Sequence, residues 1–427
     1  MKSVSKILMS AIASLGLCAL MLASTPMAAQ ASIAQSKVVL ENPADNTPHI
    51  VLDAPGKTVF AFAQIGSTMF VGGNFTQVQD PKRTKFYPRQ NFFVFNAPTG
   101  VVSTLTLSFD NTVETLVPSS DGKAIFIGGD FKHVNGVARP SIVKYDLVTR
   151  QIDPTFYATS TLSGIVDDAK LVNGRLIVAG TMPGALLSLS PTTGKNTGYI
   201  NVGIAGVMNT GDVTKVLRLA VNPAGTRLVA VGNFATVGGH VRKWAFELSL
   251  GATAVLNAWH PARLDQPCSS ATSLNIAQNV DFSPDGTYFV IVSTGGPSGV
   301  DGLCDAAARY ETTNVSGIAK DTWINFTGGD SLYAVAVTGA AVYVGGHARW
   351  LDNPLGDNSK GPGAVDRPGI GAIDPVTGKA NSWNPTKTRN HGVQKFYATS
   401  SGLWTGSDGQ YFNNEYHAGI AFSPLPK

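Results

Sequence analysis

The chain has 427 residues, 46 of them glycine, and only 14% are charged against roughly 25% in an average soluble protein. Turns are therefore abundant and charged helices scarce, which favours an all-β chain. The formal net charge of +4, or +2 once Lys2 and Lys6 are set aside, is too small to draw the protein to nucleic acid or an anionic membrane.

The first 31 residues carry Lys2 and Lys6, an apolar run from Ile7 to Ala23, and Ala29-Gln30-Ala31, which has the small-x-small form of a signal-peptidase site. Residues 1–31 are accordingly expected to be a signal peptide, with the remainder secreted or held in the cell envelope and no transmembrane segment after cleavage. Cys18 leaves with that segment, so Cys268 and Cys304 remain as an even pair suited to an oxidising compartment.

Two short β-prone runs follow, Lys37 to Leu40 and His49 to Leu52. Then a pattern sets in that reaches the end of the chain. Its clearest copy is DGKAIFIGGDF: a turn glycine, Gly122, an apolar strand, and the doublet Gly128-Gly129. The counterparts of Gly122 are Gly66, Gly174, Gly225, Gly286, Gly339 and Gly402, at successive separations of 56, 52, 51, 61, 53 and 63 residues in chain order. Each is followed by an apolar strand. MFVGGNF, IFIGGDF, LVAVGNF and VYVGGHA keep a doublet or near-doublet at the strand end, whereas the third, fifth and seventh copies are degraded. Four strands per copy at this period predict an all-β, seven-bladed β-propeller of four-stranded antiparallel blades, a single domain over residues 32–427.

In chain order the expected strands begin with Val59 to Ala63, a run to Gly73, Phe92 to Phe95 and a fourth from Val101. Fourth strands are also expected at Gln151-Ile152, Tyr199-Ile200, Val255 to Trp259, Trp323-Ile324 and, weakly, at Trp383. The last copy stops after its third strand, Gly419 to Phe422. A bare edge is a hazard, so Lys37 to Leu40, or failing that Ile50 to Leu52, is expected to supply its fourth strand and close the ring.

The glycine doublet, then YDLVTR or IDPVTG, then Trp or Phe in SWNP, NAWHP and DPTF, is similar to kelch-type repeats and closer to the delta-60 type repeats of secreted bacterial propellers. The C-terminal stretches GGHARWLDNPLGDNSKGPGAVDRPGIGAIDP and GLWTGSDGQYFNNEYHAGIAF resemble a family of exported actinobacterial-type propellers with no assigned role. The resemblance covers essentially the whole mature chain; it implies an architecture and no particular activity.

Tight turns are expected at one end of the sheets, and the long insertions Asn74–Asn91, Pro261–Asn275, Thr294–Asp305 and His347–Pro368 at the other. Binding usually lives on such loops, so function is assigned to the elaborated end and the mouth of the central channel. His347, Arg349 and Trp350 open the longest insertion and are candidate ligand contacts, an aromatic surface beside a cationic fork. Glu415 and His417, before the last strand, are candidates at the same end. Asp352, Asp357 and Asp366 lack the spacing of a calcium loop, so no metal is assigned, and the basic stretch Lys82, Arg83, Lys85, Arg89 reads as an exposed connector.

Phosphate-loop, His-Glu-x-x-His and Gly-x-Ser-x-Gly motifs are absent, so no cofactor and no catalytic residue is assigned. Two readings stay open. One is an exported binding or scaffold module that engages a glycan or protein; the other is an extracellular hydrolase or lyase working through carboxylates and histidines of the elaborated end. Cys268 and Cys304 are expected to bridge at that end of the fifth copy.

Overall fold

The computed structural model describes residues 33–158, 162–209, 211–269, 277–297 and 300–427. The expected signal peptide, residues 1–31, lies outside them. Among the described residues no helix is long and apolar enough to cross a membrane, and the one helical turn is a 3-10 turn at Ala262–Asp265. The rest of the regular structure is strand.

Seven antiparallel sheets follow the repeat, each opening on a strand that leads into one of the repeat glycines. These first strands are Thr58–Ile65, Val113–Pro118, Val166–Val172, Lys215–Val221, Ala277–Phe282, Leu332–Val337 and Val393–Thr399. Each contacts the first strand of the next sheet, and Thr58–Ile65 also contacts Val393–Thr399. Side chains alternate across a strand, so every sheet feeds two apolar layers. Ile125, Ile127 and Tyr145 pack towards the first sheet, while Phe126 and Val117 pack towards the third. The last layer sets Trp404 and Ile420 of the seventh sheet against Val59, Phe62 and Phe95 of the first.

The glycine doublets have a steric cause at both positions. A Cβ on Gly73 would lie 2.2 Å from the Thr58 carbonyl oxygen, and one on Gly72 would lie 2.4 Å from Cγ1 of Val113 in the next sheet. The second glycine thus lets the strand press against its neighbour's backbone, and the first makes room for the following sheet. Gly128-Gly129 repeats the arrangement against Val166 and Thr112, and Gly345-Gly346 against Val393 and Ser331. Opposite each doublet position the first strand carries a β-bulge, in all seven sheets. Bulges re-aim side chains, and here they fall at one end of every first strand.

Fourth strands are fewer than expected. The second, fourth and fifth sheets have one, at Gln151–Ile152, Ala254–Leu256 and Trp323–Phe326. In the first, third and sixth the fourth strand shrinks to single bridges, Phe95↔Val102, Leu189↔Asn196 and Ile373↔Ala380. Guanidinium groups bond to carbonyls beside this edge whether or not a fourth strand forms: in the fourth sheet, which has one, Arg242 donates to the carbonyls of Val241 and Asn257 at 2.7 and 3.3 Å. The buried guanidinium of Arg89 donates to the carbonyls of Pro88 and Ser103 at 2.8 Å each, and Arg367 reaches those of Asp366 and Asn381 in the same way. Arg89 is only 7% exposed, so it is a structural residue and no part of an exposed connector. Trp383 is buried against Tyr343, ring centroids 5.1 Å apart, and forms no strand.

The N-terminal segment reaches the last strand, Ile420–Pro424, as a strap without strand pairing. Leu40 N–H donates to Pro424 O, Ala44 N–H to Phe422 O and Ile50 N–H to Ala418 O, at 2.8, 2.8 and 3.0 Å. Bonds four and six residues apart do not make a ladder, which is why the expected strand over Lys37 to Leu40 is missing. His49–Ile50 instead pairs with Gln77–Gln79 in the first insertion. Cys268 and Cys304 lie at disulfide distance, S–S 1.93 Å and Cα–Cα 5.7 Å.

Candidate functional site

The insertions between second and third strands carry small hairpins, His133–Val134 with Val137–Ala138 and Tyr411–Phe412 with Glu415–Tyr416 among them. They follow the strand ends opposite the bulges, so bulges and insertions share one end of the sheets.

His347 follows the second strand of the sixth sheet. It lines an open cavity of about 910 Å³ with Tyr333, Asn390, His391, Gln410 and the strap residues Leu52 to Lys57. Tyr333 is the bulged residue of its sheet, and its ring meets that of His347 edge to face at 5.6 Å. Burial holds the His347 imidazole below its ordinary pKa despite the opposing field of Asp330, so the ring is neutral near pH 7. Asp408, on the same wall, accepts the backbone N–H groups of His391 and Gly392 at 2.9 Å each. The cavity therefore presents the amides of Asn390 and Gln410 and the neutral His347 ring, with Asp408 committed to a loop and Asp53 and Lys57 adding one charge of each sign to the lining.

Arg349 stands behind this wall. Its Nε and NH2 clamp the Asp330 carboxylate at 2.8 and 3.1 Å, and Arg389 joins the same carboxylate at 3.5 Å while donating to the His347 carbonyl at 2.8 Å. A guanidinium so engaged positions the loop. Trp350 lies beneath it, 4.2 Å from ring centroid to Cζ, and pairs across the insertion with Asp366. Asp352 accepts from Asn325 Nδ2 and Ala380 N–H at 2.5 and 3.2 Å, and Asp366 pairs with Lys360 at 2.7 Å.

Glu415 and His417 are not among the residues lining that cavity. His417 Nε2 lies 3.5 Å from Glu415, and its Nδ1 lies 3.0 Å from the Thr47 hydroxyl. A hydroxyl, an imidazole and a carboxylate in this order resemble a nucleophile with its base, but Thr47 is 0% exposed and also hydrogen bonds to Ile420 O at 3.4 Å. No substrate reaches it, and the trio holds the strap. His49 packs beside it, 5.9 Å from His417 and 5.2 Å from Tyr416, with Arg83 over the Tyr416 ring.

Burial, reinforced by His417, lowers the pKa of His49 to about 4. Above pH 6.5 His49 is neutral in the folded and unfolded chain. Between about pH 6.5 and 4 the unfolded chain takes the proton first, so stability falls as pH falls, by about 3 kcal/mol for 2.5 units. Urea midpoints at pH 7 and pH 4.5 should converge in His49→Gln relative to the parent; an unchanged difference would remove His49 as the source.

The sequence reading missed a charged group at the bulges of three successive first strands. Glu114 and Asp167 are the bulged residues of the second and third sheets, and Arg218 follows the bulge of the fourth. Arg218 reaches past the third sheet to Glu114 at 3.6 Å and donates to the Asp167 carbonyl at 2.9 Å. Burial raises Glu114 to about 7 and Asp167 to about 6, in both cases against the pull of Arg218. Burial opposes ionisation of Asp168 too, yet Lys170, Lys395 and Arg218 hold it at about 2. The available signal was a charge interrupting an apolar strand, in VETLVP, VDDAKLV, KVLRLAV and VQKFYAT.

No protein-family model matches the chain, and no curated protein matches it.

Proposed function

We propose that the chain is an exported seven-bladed β-propeller of the kelch-like, delta-60 type, working outside the cell as a glycan-binding module. The blade reading is supported by the succession of first strands, in which each neighbours the next and the last neighbours the first. Export is supported by the composition of residues 1–31.

The observation that carries the ligand class is the His347 cavity. The amides of Asn390 and Gln410, the neutral His347 and the Tyr333 ring suit a polyhydroxylated ligand, while Lys57 and Asp53 in the lining offer one charge of each sign and Arg349 is taken by Asp330. A glycan array on the chain lacking residues 1–31 tests it. Binding should fall at least about tenfold in His347→Ala and in Asn390→Ala, the size of a lost buried hydrogen bond or ring contact. Binding that survives both, and is lost when the Lys82 to Arg89 loop is altered, moves the site to the first blade.

The hydrolase or lyase reading draws on Glu114 and Asp167, two carboxyls of raised pKa beside one cation.

A further inference from the structure

A cavity of about 130 Å³, room for a few waters or a small molecule, is lined by residues of all seven first strands. Lys395, two residues after the start of the seventh sheet's first strand, lines it with Lys170, Asp168, Asn279 and Asp281. Asp168, the anion that acts most strongly on Lys395, is already occupied. Its carboxylate accepts Lys170 Nζ at 2.8 Å, the backbone N–H groups of Ala169 and Leu219 at 2.9 and 3.1 Å, and the Thr115 hydroxyl at 3.4 Å. The amine of Lys395 thus faces a cavity with its main counter-charge committed elsewhere and a second lysine alongside.

We propose that Lys395 is a carbonyl-reactive amine that forms an imine with a small aldehyde or ketone admitted to this cavity. A lysine becomes nucleophilic when it is desolvated or set beside another cation, and both conditions hold here. Burial first, with Lys170 and Arg218 adding to it, pushes Lys395 down to about 8. The neutral amine adds to the carbonyl carbon; a C–N bond forms, the carbonyl π bond breaks, and a proton passes from nitrogen to oxygen to give a carbinolamine. Its hydroxyl then departs as water with a proton from the solvent, leaving a protonated imine on Lys395. Charge is conserved, and no oxidant or reductant is needed.

Brief treatment of the chain with glycolaldehyde and cyanoborohydride at pH 7.5, followed by peptide mapping, tests the proposal. The neutral fraction of an amine with pKa near 8 exceeds that of an ordinary lysine on the order of a hundredfold, so Lys395 should be alkylated that much faster than the exposed Lys82 and Lys379. Lys395→Met should remove the fast adduct and leave the slow ones. Alkylation of Lys395 no faster than that of Lys82 overturns the proposal.

Discussion

Deleting residues 33–53 is expected to lower the melting temperature by roughly 10 °C or more, the largest effect of any single change considered for this chain. The strap touches three sheets. Gln35 Nε2 donates to Thr399 O and Gly402 O at 2.9 and 3.1 Å, Val39 N–H to the Tyr343 hydroxyl at 2.9 Å, and Asn46 Nδ2 to Pro98 O at 2.6 Å. Val39 and Ile50 are 3% and 0% exposed, and burial of each is worth about 1.5 to 3 kcal/mol. Net hydrogen bonds add about 0.5 to 1.5 kcal/mol apiece, and the ordering of the strap offsets part of the total. A loss on the order of 5 kcal/mol is large against the roughly 5 to 15 kcal/mol of an ordinary domain. Removing the strap also strips cover from Ile420–Pro424 and leaves that strand's outer carbonyls unpaired. An unchanged melting temperature in the truncated chain would mean that the seventh sheet needs no strap.

Loss of the Cys268–Cys304 link should come next in size. The two residues are 36 apart in sequence, and for a loop of that length the chain-entropy account predicts about 4 kcal/mol of stabilisation acting through the unfolded chain. The folded loops stay partly tethered without it, because Arg263 pairs with Asp321 at 2.5 Å and His260–Pro261 pairs with Ile318–Ala319. Cys268→Ser with Cys304→Ser should therefore lower the denaturation midpoint clearly while the other sheets keep their signatures. Proteolytic cutting should become faster between Gln266 and Asp305. A non-reduced digest of the parent should contain the cross-linked peptide, and stoichiometric labelling of both thiols in unfolded, unreduced protein would refute the link.

Much of the local structure was legible in the sequence because it depends on neighbours in the chain. The turn glycines 66, 122, 174, 225, 286 and 339 all have positive φ, between 58° and 85°, and Gly402 adopts 156°. A glycine there is a local demand, met before any tertiary contact forms. The first three strands of every repeat fall where apolar runs end in such turns, with bounds shifted by a few residues. The pairing of Cys268 with Cys304 was legible too, since two cysteines outside residues 1–31 leave one partner each.

What the tertiary structure decided is where side chains point and what they are committed to. A bulge skips one residue of the ladder, and that turned Glu114 and Asp167 into neighbours of Arg218, three residues spread over about a hundred positions of sequence. Arg349 looked like a free cationic fork and is clamped by Asp330, nineteen positions earlier in the chain. His347 and His417 looked like members of one group, yet the first faces a cavity and the second anchors a strap through Thr47. An Arg just before a third strand carries no mark that its guanidinium will bond carbonyls of the following segment, as those of Arg89, Arg242 and Arg367 do. Periodicity and turn chemistry are written within a few residues, whereas the partner that neutralises or buries a charge lies in another sheet, and only the packing of sheets on one another selects it.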